Sequence, residues 1–291
     1  MSTDEFINNG VSQLRFWGVR GSIPTADADK HRIGGNTACV EFSPTDGTHI
    51  IFDAGTGIRP LGNLIARSNE KPYEVHLFLS HTHWDHIIGL LFFAPLHQPH
   101  AHLIIYGPKR KENSLQGSIE GLFRPPYFPL SPGDLPAKLT YVELEPGRHP
   151  FGNGHLVECA LHPHPNGAMS YRVEAEGRAV AYITDIEHTV KDLVPATIEI
   201  SRGVDALIHD SHFHREDLAA HRSWGHSSWE ESVAVAMGAK AKRLFLFHYS
   251  PNYSDDDVFD MEQRARHEFA NTTAAFQGLT IDFPRLSPPN G

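Results

Sequence analysis

The fold of this chain is decided by Glu74-Val75-His76-Leu77-Phe78-Leu79-Ser80 running directly into His81-Thr82-His83-Trp84-Asp85-His86. The first run is short, apolar and rich in residues that suit a pleated, half-buried surface, so it reads as a strand. The second gathers three imidazoles and a carboxylate within six residues. A strand that delivers His81 to the carboxyl end of a sheet puts this cluster where α/β proteins commonly carry their sites. His81 and His83, leaving the strand in a turn, can face one ion, while Asp85 and His86, entering a helix, face a second. Neutral imidazole and carboxylate suit zinc, manganese or iron. A histidine-rich surface turn would carry the same letters, so a metal site requires further ligands elsewhere in the chain.

Those ligands should end later strands, and three positions do so. His164 follows the run His155 to Leu161, Asp185 ends Ala179 to Thr184, and His248 ends Arg243 to Phe247. Each alone is compatible with a turn former; together with the hexapeptide they outline a dinuclear site. His162 competes with His164 for the same role.

Outward from these motifs, β-like runs recur at Gln13 to Val19, Thr37 to Phe42, Thr48 to Phe52, Ala101 to Tyr106, Lys138 to Leu144, Met169 to Val173 and Ala206 to Ile208. Helical spacing marks Gly57 to Arg67, Ser228 to Gly238 and Asp255 to Ala270. Ser227 with Glu230, and Ser254 with Asp257, have the spacing of N-terminal caps for the last two. No repeat or linker divides the chain, which predicts one domain over 1–291. The proline-rich segment Arg124 to Asp134 should be a surface loop or lid.

With 40% hydrophobic and 21% charged residues, the composition is that of an ordinary soluble globular protein. No apolar run approaches the roughly 20 residues of a membrane span. Asp4 and Glu5 stand where a secretory signal would be positively charged, so a cytoplasmic location is expected. Cys39 and Cys159 are the only cysteines, which excludes a disulfide framework and a thiolate zinc site. A net charge of −10 argues against an extended nucleic acid as partner, but not against a small anion drawn to bound metals.

The chain resembles the metallo-β-lactamase superfamily, and within it the branch of tRNase Z-like phosphodiesterases. The resemblance runs through Phe16-Trp17-Gly18-Val19-Arg20-Gly21-Ser22, Gly34-Gly35-Asn36-Thr37, Phe52-Asp53-Ala54-Gly55-Thr56-Gly57, the hexapeptide, His164-Pro165-Asn166-Gly167, Thr184-Asp185, Gly225-His226-Ser227-Ser228 and Phe247-His248. It implies an α/β fold, the αββα sandwich, with metals at the edge where the sheets meet. It further implies that His81, His83 and His164 hold one of two divalent ions, zinc before manganese or iron, and that Asp85, His86 and His248 hold the other, with Asp185 bridging.

Such a pair activates a bridging hydroxide and clamps the oxygens of an in-line displacement. The leaving alkoxide then needs a proton. His226, just before a helix start, is the expected general acid, and Asp85 is expected to orient the nucleophile as well as bind metal. Asp53 should be a supporting or turn residue, and His188 and His212 lie within reach of plausible site loops without an assigned role. The expected substrate is a small or cyclic nucleotide diester, since the chain has neither the basic arm nor the basic balance suited to whole tRNA. A lactone or thioester hydrolase, an RNA-processing endonuclease and a non-enzymatic metal-binding regulator are the alternatives. A homodimer is one assembly open to the chain. A flavodiiron protein would need a glutamate where His83 stands and a flavin domain.

Overall fold

The computed structural model describes residues 10–68, 72–188 and 192–284. Among them are two seven-stranded sheets. The first contains β1 (Ser12–Gly18), β2 (Cys39–Ser43), β3 (His49–Phe52), β4 (Tyr73–Phe78), β5 (Ala101–Pro108), β6 (Lys138–Leu144) and β14 (Thr280–Phe283), in the order β14-β1-β2-β3-β4-β5-β6. The second contains β7 (Gly147–Phe151), β8 (His155–His162), β9 (Ala168–Ala175), β10 (Arg178–Ile183), β11 (Ala206–Asp210), β12 (Leu244–Phe247) and β13 (Thr272–Ala274), in the order β13-β12-β11-β10-β9-β8-β7. Strands β3 to β6 pair in parallel, as do β10 to β13.

Period-two side-chain alternation explains why two layers form. Ile50 and Phe52 of β3 join the main core, whereas Ile51 between them joins a second apolar cluster on the other face. Aromatic rings close the gap between sheets: Phe52 stacks on Tyr182 at 5.1 Å, Phe16 meets Phe245 at 5.2 Å, and Phe78 meets Tyr171 at 5.4 Å. Such ring pairs add about 0.5–1.5 kcal/mol each beyond area burial.

Helices cover the outer faces. α1 (Ile58–Ser68) buries Ile58, Leu61 and Ile65 against Ile51, Val75 and Leu77 of the first sheet. The short α2 (Trp84–Ile87) and α3 (Leu115–Glu120) lie on the same side, sharing Ile87, Leu115 and Ile119 with that cluster. α4 (Pro195–Ile200), α5 (Arg215–Leu218), α6 (Trp229–Ala239) and α7 (Asp255–Glu268) follow in the second half, and Val233, Val258 and Met261 of the last two belong to the main core. The expected αββα sandwich is therefore present.

The expected cap of α6 shifts by one residue. Ser228, not Ser227, takes the N-cap position, and its partner is Glu231 rather than Glu230. Ser227 is already committed, because its hydroxyl donates to Ile186 O at 2.6 Å and its N–H to Asp210 Oδ1 at 3.2 Å. At α7 the cap is as expected: Asp257 accepts from Ser254 N at 2.8 Å. Among the described residues no helix is long and apolar enough to cross a membrane.

Candidate metal centre

Parallel strands from both sheets end along one edge of the sandwich, and each delivers a polar residue. Asp53 follows β3, His81 follows β4, Asp185 follows β10, Asp210 ends β11 and His248 follows β12. Asp53, Asp185 and His248 have φ of 57°, 55° and 64°. Left-handed backbone at a non-glycine residue costs of order 1–3 kcal/mol and persists where the surroundings impose it, commonly at functional sites.

Two groups of nitrogen and oxygen atoms converge there. In the first, His83 Nδ1 lies 3.1 Å from His164 Nε2, and the His81 ring sits 4.4 Å from that of His83 and 4.7 Å from that of His164. His164 Nδ1 donates to Gly225 O at 2.9 Å, which leaves its Nε2 lone pair facing inward. His81 Nδ1 meets Ser80 Oγ at 3.0 Å, and its buried Nε2 has no hydrogen-bond partner. Gly225 (φ +86°) is needed for this approach, since a Cβ there would stand 2.1 Å from His164 Nδ1.

The second group comprises Asp85, His86 and His248. Asp85 Oδ2 lies 3.2 Å from His86 Nε2 and 3.3 Å from His248 Nε2, and the two Nε2 atoms are 3.1 Å apart. His86 Nδ1 donates to Asp53 Oδ2 at 2.8 Å, which turns its Nε2 toward the group. Asp53 is fixed in turn by Ser80 N, Ser80 Oγ and Tyr182 Oη at 2.7 to 2.8 Å.

Asp185 lies between the groups. Its Oδ2 is 3.1 Å from His86 Nε2 and 3.3 Å from His248 Nε2, and its Oδ1 is 3.7 Å from His164 Nε2 and 3.9 Å from His81 Nε2. One carboxylate oxygen thus faces each group. Acceptors crowded together in a buried place are costly unless something positive sits among them. Ligand atoms about 2.1 Å from a tetrahedral ion are roughly 3.4 Å apart, which is the spacing found here. The residues therefore fit a pair of cations.

Electrostatics agree with that fit. Burial, and then repulsion from His86, holds His81 well below the ordinary imidazole value, and burial lowers His83 and His164 too, so all three are neutral donors. His86 goes the other way: against its burial, Asp85, Asp185 and Asp53 hold it well above. A field that holds a proton there also favours a metal cation. Burial opposes ionisation of Asp85 and Asp185, and their histidine neighbours overcome it, keeping both carboxyls well below the usual carboxylate range.

Beside these groups stands His226. Its Nδ1 is 3.0 Å from Asp210 Oδ2 and its ring stacks on His212 at 4.0 Å. Asp210 also accepts from the backbone N–H of Asp185 at 2.9 Å and of His212 at 3.0 Å. The Asp210 charge raises the His226 pKa despite burial. Asp210 was not among the expected site residues, although it ends an apolar strand just as Asp185 follows one. Reading the strand as Ala206 to Ile208 stops two residues short of it.

His162 lies outside both groups, because Ser170 Oγ at 2.7 Å and Thr184 O at 3.0 Å occupy its two nitrogens, so His164 and not His162 stands beside His81 and His83. His188 is buried against His209, with Nδ1 accepting from Val194 N, and takes no part. His212 donates from Nδ1 to His248 O at 2.8 Å and serves as the surface on which His226 rests. The proline-rich segment packs Phe128 against Phe92 and Phe123 and does not line the cavity beside the site.

A model of the β-lactamase superfamily domain matches residues 48–249, which span every one of these positions. The chain belongs to the metallo-β-lactamase superfamily. Ribonuclease Z of Cyanothece sp. is 35% identical over 335 residues, covering 95% of this chain and 97% of its own length. Among solved structures, the metallo-β-lactamase fold protein YhfI of Bacillus subtilis superposes with a TM-score of 0.69 at 20% identity, over 94% of this chain and 99% of that one. The short form of human tRNase Z gives 0.66 at 19% identity, over 94% and 99%. These superpositions speak to the fold of this superfamily member.

Proposed function

We propose that this superfamily member is a two-metal hydrolase of phosphodiesters, acting on a small or cyclic nucleotide. The observation that carries the reading is the His226–Asp210 pair beside Asp185, whose two oxygens face the two histidine groups. In this reading His81, His83 and His164 hold one ion, Asp85, His86 and His248 hold the other, and Asp185 is shared. Imidazole and carboxylate donors suit zinc first, with manganese or iron as substitutes. When bound, such a pair makes water acidic enough to attack near neutral pH and offsets the charge of the ester.

The chain's own residues do the rest. Asp53 and Gly225 O fix the His86 and His164 rings through their Nδ1 protons. Asp85, whose Oδ2 accepts from Ser22 N at 2.7 Å, orients the attacking water. Water, giving up one proton to solvent, attacks phosphorus, the bond to the leaving oxygen breaks, and His226 gives its Nε2 proton to that oxygen and is reprotonated from solvent. Asp210 stabilises the charged ring before transfer and keeps Nε2 pointed away from itself, a contribution general acids typically make at the level of 10²–10⁴-fold.

The name of the Cyanothece relative supports a second reading, an RNA-processing endonuclease, which needs the same chemistry and a different docking surface. A net charge of −10 favours the small substrate. The test is an assay of metal-reconstituted protein on bis(p-nitrophenyl) phosphate, cyclic nucleotides, precursor tRNA and an acyl-homoserine lactone. Cleavage of the first two with little cleavage of tRNA is expected. Preferential tRNA cleavage would select the second reading, and lactone turnover without phosphodiester turnover would sink both.

A further inference from the structure

A cavity of about 430 Å³ opens beside the first histidine group, with His81 and His83 among the residues that line it. This is within the size range of ligand sites, about 300–1,000 Å³. Its walls come from the segment leaving β5, from α3 and from the turn after His164, and they carry Lys111, Asn113, Ser118 and Asn166. Apart from the His81 and His83 rings, no aromatic or large aliphatic side chain lines it, so it is shaped for a polar group and not for a base.

Its cations have different duties. Arg110 is half-buried and donates to the carbonyls of Asn166 and Gly167, the latter at 2.6 Å, which ties the β5 exit to the His164 turn. Both terminal nitrogens of that guanidinium are committed to structure. Lys111 is exposed and, among the described residues, has no carboxylate within ion-pair distance. Glu112 is the one acidic side chain in the lining, against two basic ones. On a chain of net charge −10, a locally positive wall next to a site for anions stands out.

Direction matters as well. The lining includes His81 and His83 but not His226, His248 or Asp85. His226 stands outside that lining, its ring 5.3 Å from that of His248 and 5.7 Å from that of His164, so a leaving oxygen that takes its proton from His226 lies away from Lys111 and the part of the diester that keeps the phosphate extends toward it. We propose that this cavity is an anion subsite in which Lys111 binds a second phosphate on that retained half, making doubly phosphorylated diesters the preferred substrates. The proposal rests on the phosphodiesterase reading for its geometry, while its test reads binding alone.

Calorimetry of the metal-loaded protein with adenosine 3′-phosphate and adenosine 3′,5′-bisphosphate supplies that test, the ratio of the two affinities being the readout. A charge-assisted contact of ordinary strength makes the bisphosphate roughly tenfold tighter in the wild type. The ratio should fall to near one in Lys111→Ala, invert in Lys111→Glu and survive in Lys111→Arg. Equal affinities in the wild type, or a ratio that persists in both the Ala and Glu variants, would overturn the subsite. Bis(p-nitrophenyl) phosphate turnover separates the two claims: turnover with a flat ratio removes only the subsite, and a Lys111-dependent ratio without turnover removes only the catalytic reading.

Discussion

Two histidine clusters flank β4, one at each end, and they differ in what their nitrogens meet. At the amino end His76 Nδ1 contacts Tyr106 Oη at 3.0 Å, His102 sits between Glu74 at 2.9 Å and Thr140 at 2.9 Å, and His155 lies 3.0 Å from Asp46. Each ring there has a protein partner, and the backbone of His76 lies within the strand. At the carboxyl end ring nitrogens and carboxylate oxygens from both groups converge on one another, His81 Nε2 has no hydrogen-bond partner, and Asp53, Asp185 and His248 adopt positive φ. Both ends gather histidines, three at the amino end and five in the two groups at the carboxyl end, so their presence alone does not separate the two kinds of cluster. Unsatisfied convergence distinguishes a metal site from a hydrogen-bonded one.

Removing the carboxylate that faces both groups breaks the comparison most severely. Asp185→Ala is expected to lose at least about 10⁴-fold in turnover of bis(p-nitrophenyl) phosphate and to bind fewer than two metals per chain by elemental analysis. Full metal content in that variant would remove Asp185 from the bridging role. Stripping the metals with a chelator should also lower the melting temperature, because a ligand present at a thousandfold its Kd stabilises the fold by about 4 kcal/mol. An unchanged melting curve would mean that the crowded acceptors need no cation.

His226→Ala comes next, with about a 10³-fold loss on an alkyl phosphodiester, a much smaller loss on a p-nitrophenyl ester whose leaving group needs no proton, and both metals retained. Asp210→Asn should follow the same pattern more weakly, since it keeps the position and removes the charge that raises the His226 pKa. Metal loss in His226→Ala would put that ring in the coordination sphere instead. Glu187→Gln should cost roughly tenfold, because its carboxylate accepts from Ser223 N at 3.0 Å and Gly225 N at 2.9 Å, and Gly225 O holds His164. Equal activity would show that the 223–225 loop is held without Glu187.

The sheets and most of the converging residues were legible because one signal repeats: an apolar run followed within two residues by His or Asp. That pattern marks His81, Asp185 and His248, and it also covers Asp210 once the strand is followed to its end. Three strands were not legible, β7, β13 and β14, and all three are edges of their sheets. Edge strands tolerate residues that interior strands exclude, as Gly147 and Pro150 in β7 illustrate. The cap of α6 was misplaced by one residue because two serines stand in succession, and only a tertiary bond from Ser227 to Ile186 decides between them. Pairing of His226 with Asp210 is equally tertiary, joining residues 16 apart in sequence.

The smallest effect is expected at the amino end of β4, and its smallness is what the comparison requires. Burial, resisted by Glu74 and assisted by His155 and His102, pushes the His76 pKa down from 6.5 to about 4. His76 is therefore neutral when folded but protonates below about pH 6.5 when unfolded, so its contribution to stability is complete above 6.5 and is lost as pH falls toward 4. His76→Gln keeps a polar group near Tyr106 and cannot titrate. It should lose about 1 kcal/mol at neutral pH, show a flatter fall of denaturant stability from pH 6.5 to 4 than the wild type, and leave metal content and turnover as they were. A loss of metal or activity in this variant would mean that the two ends of β4 are coupled, and that the hydrogen-bonded cluster supports the centre across the strand.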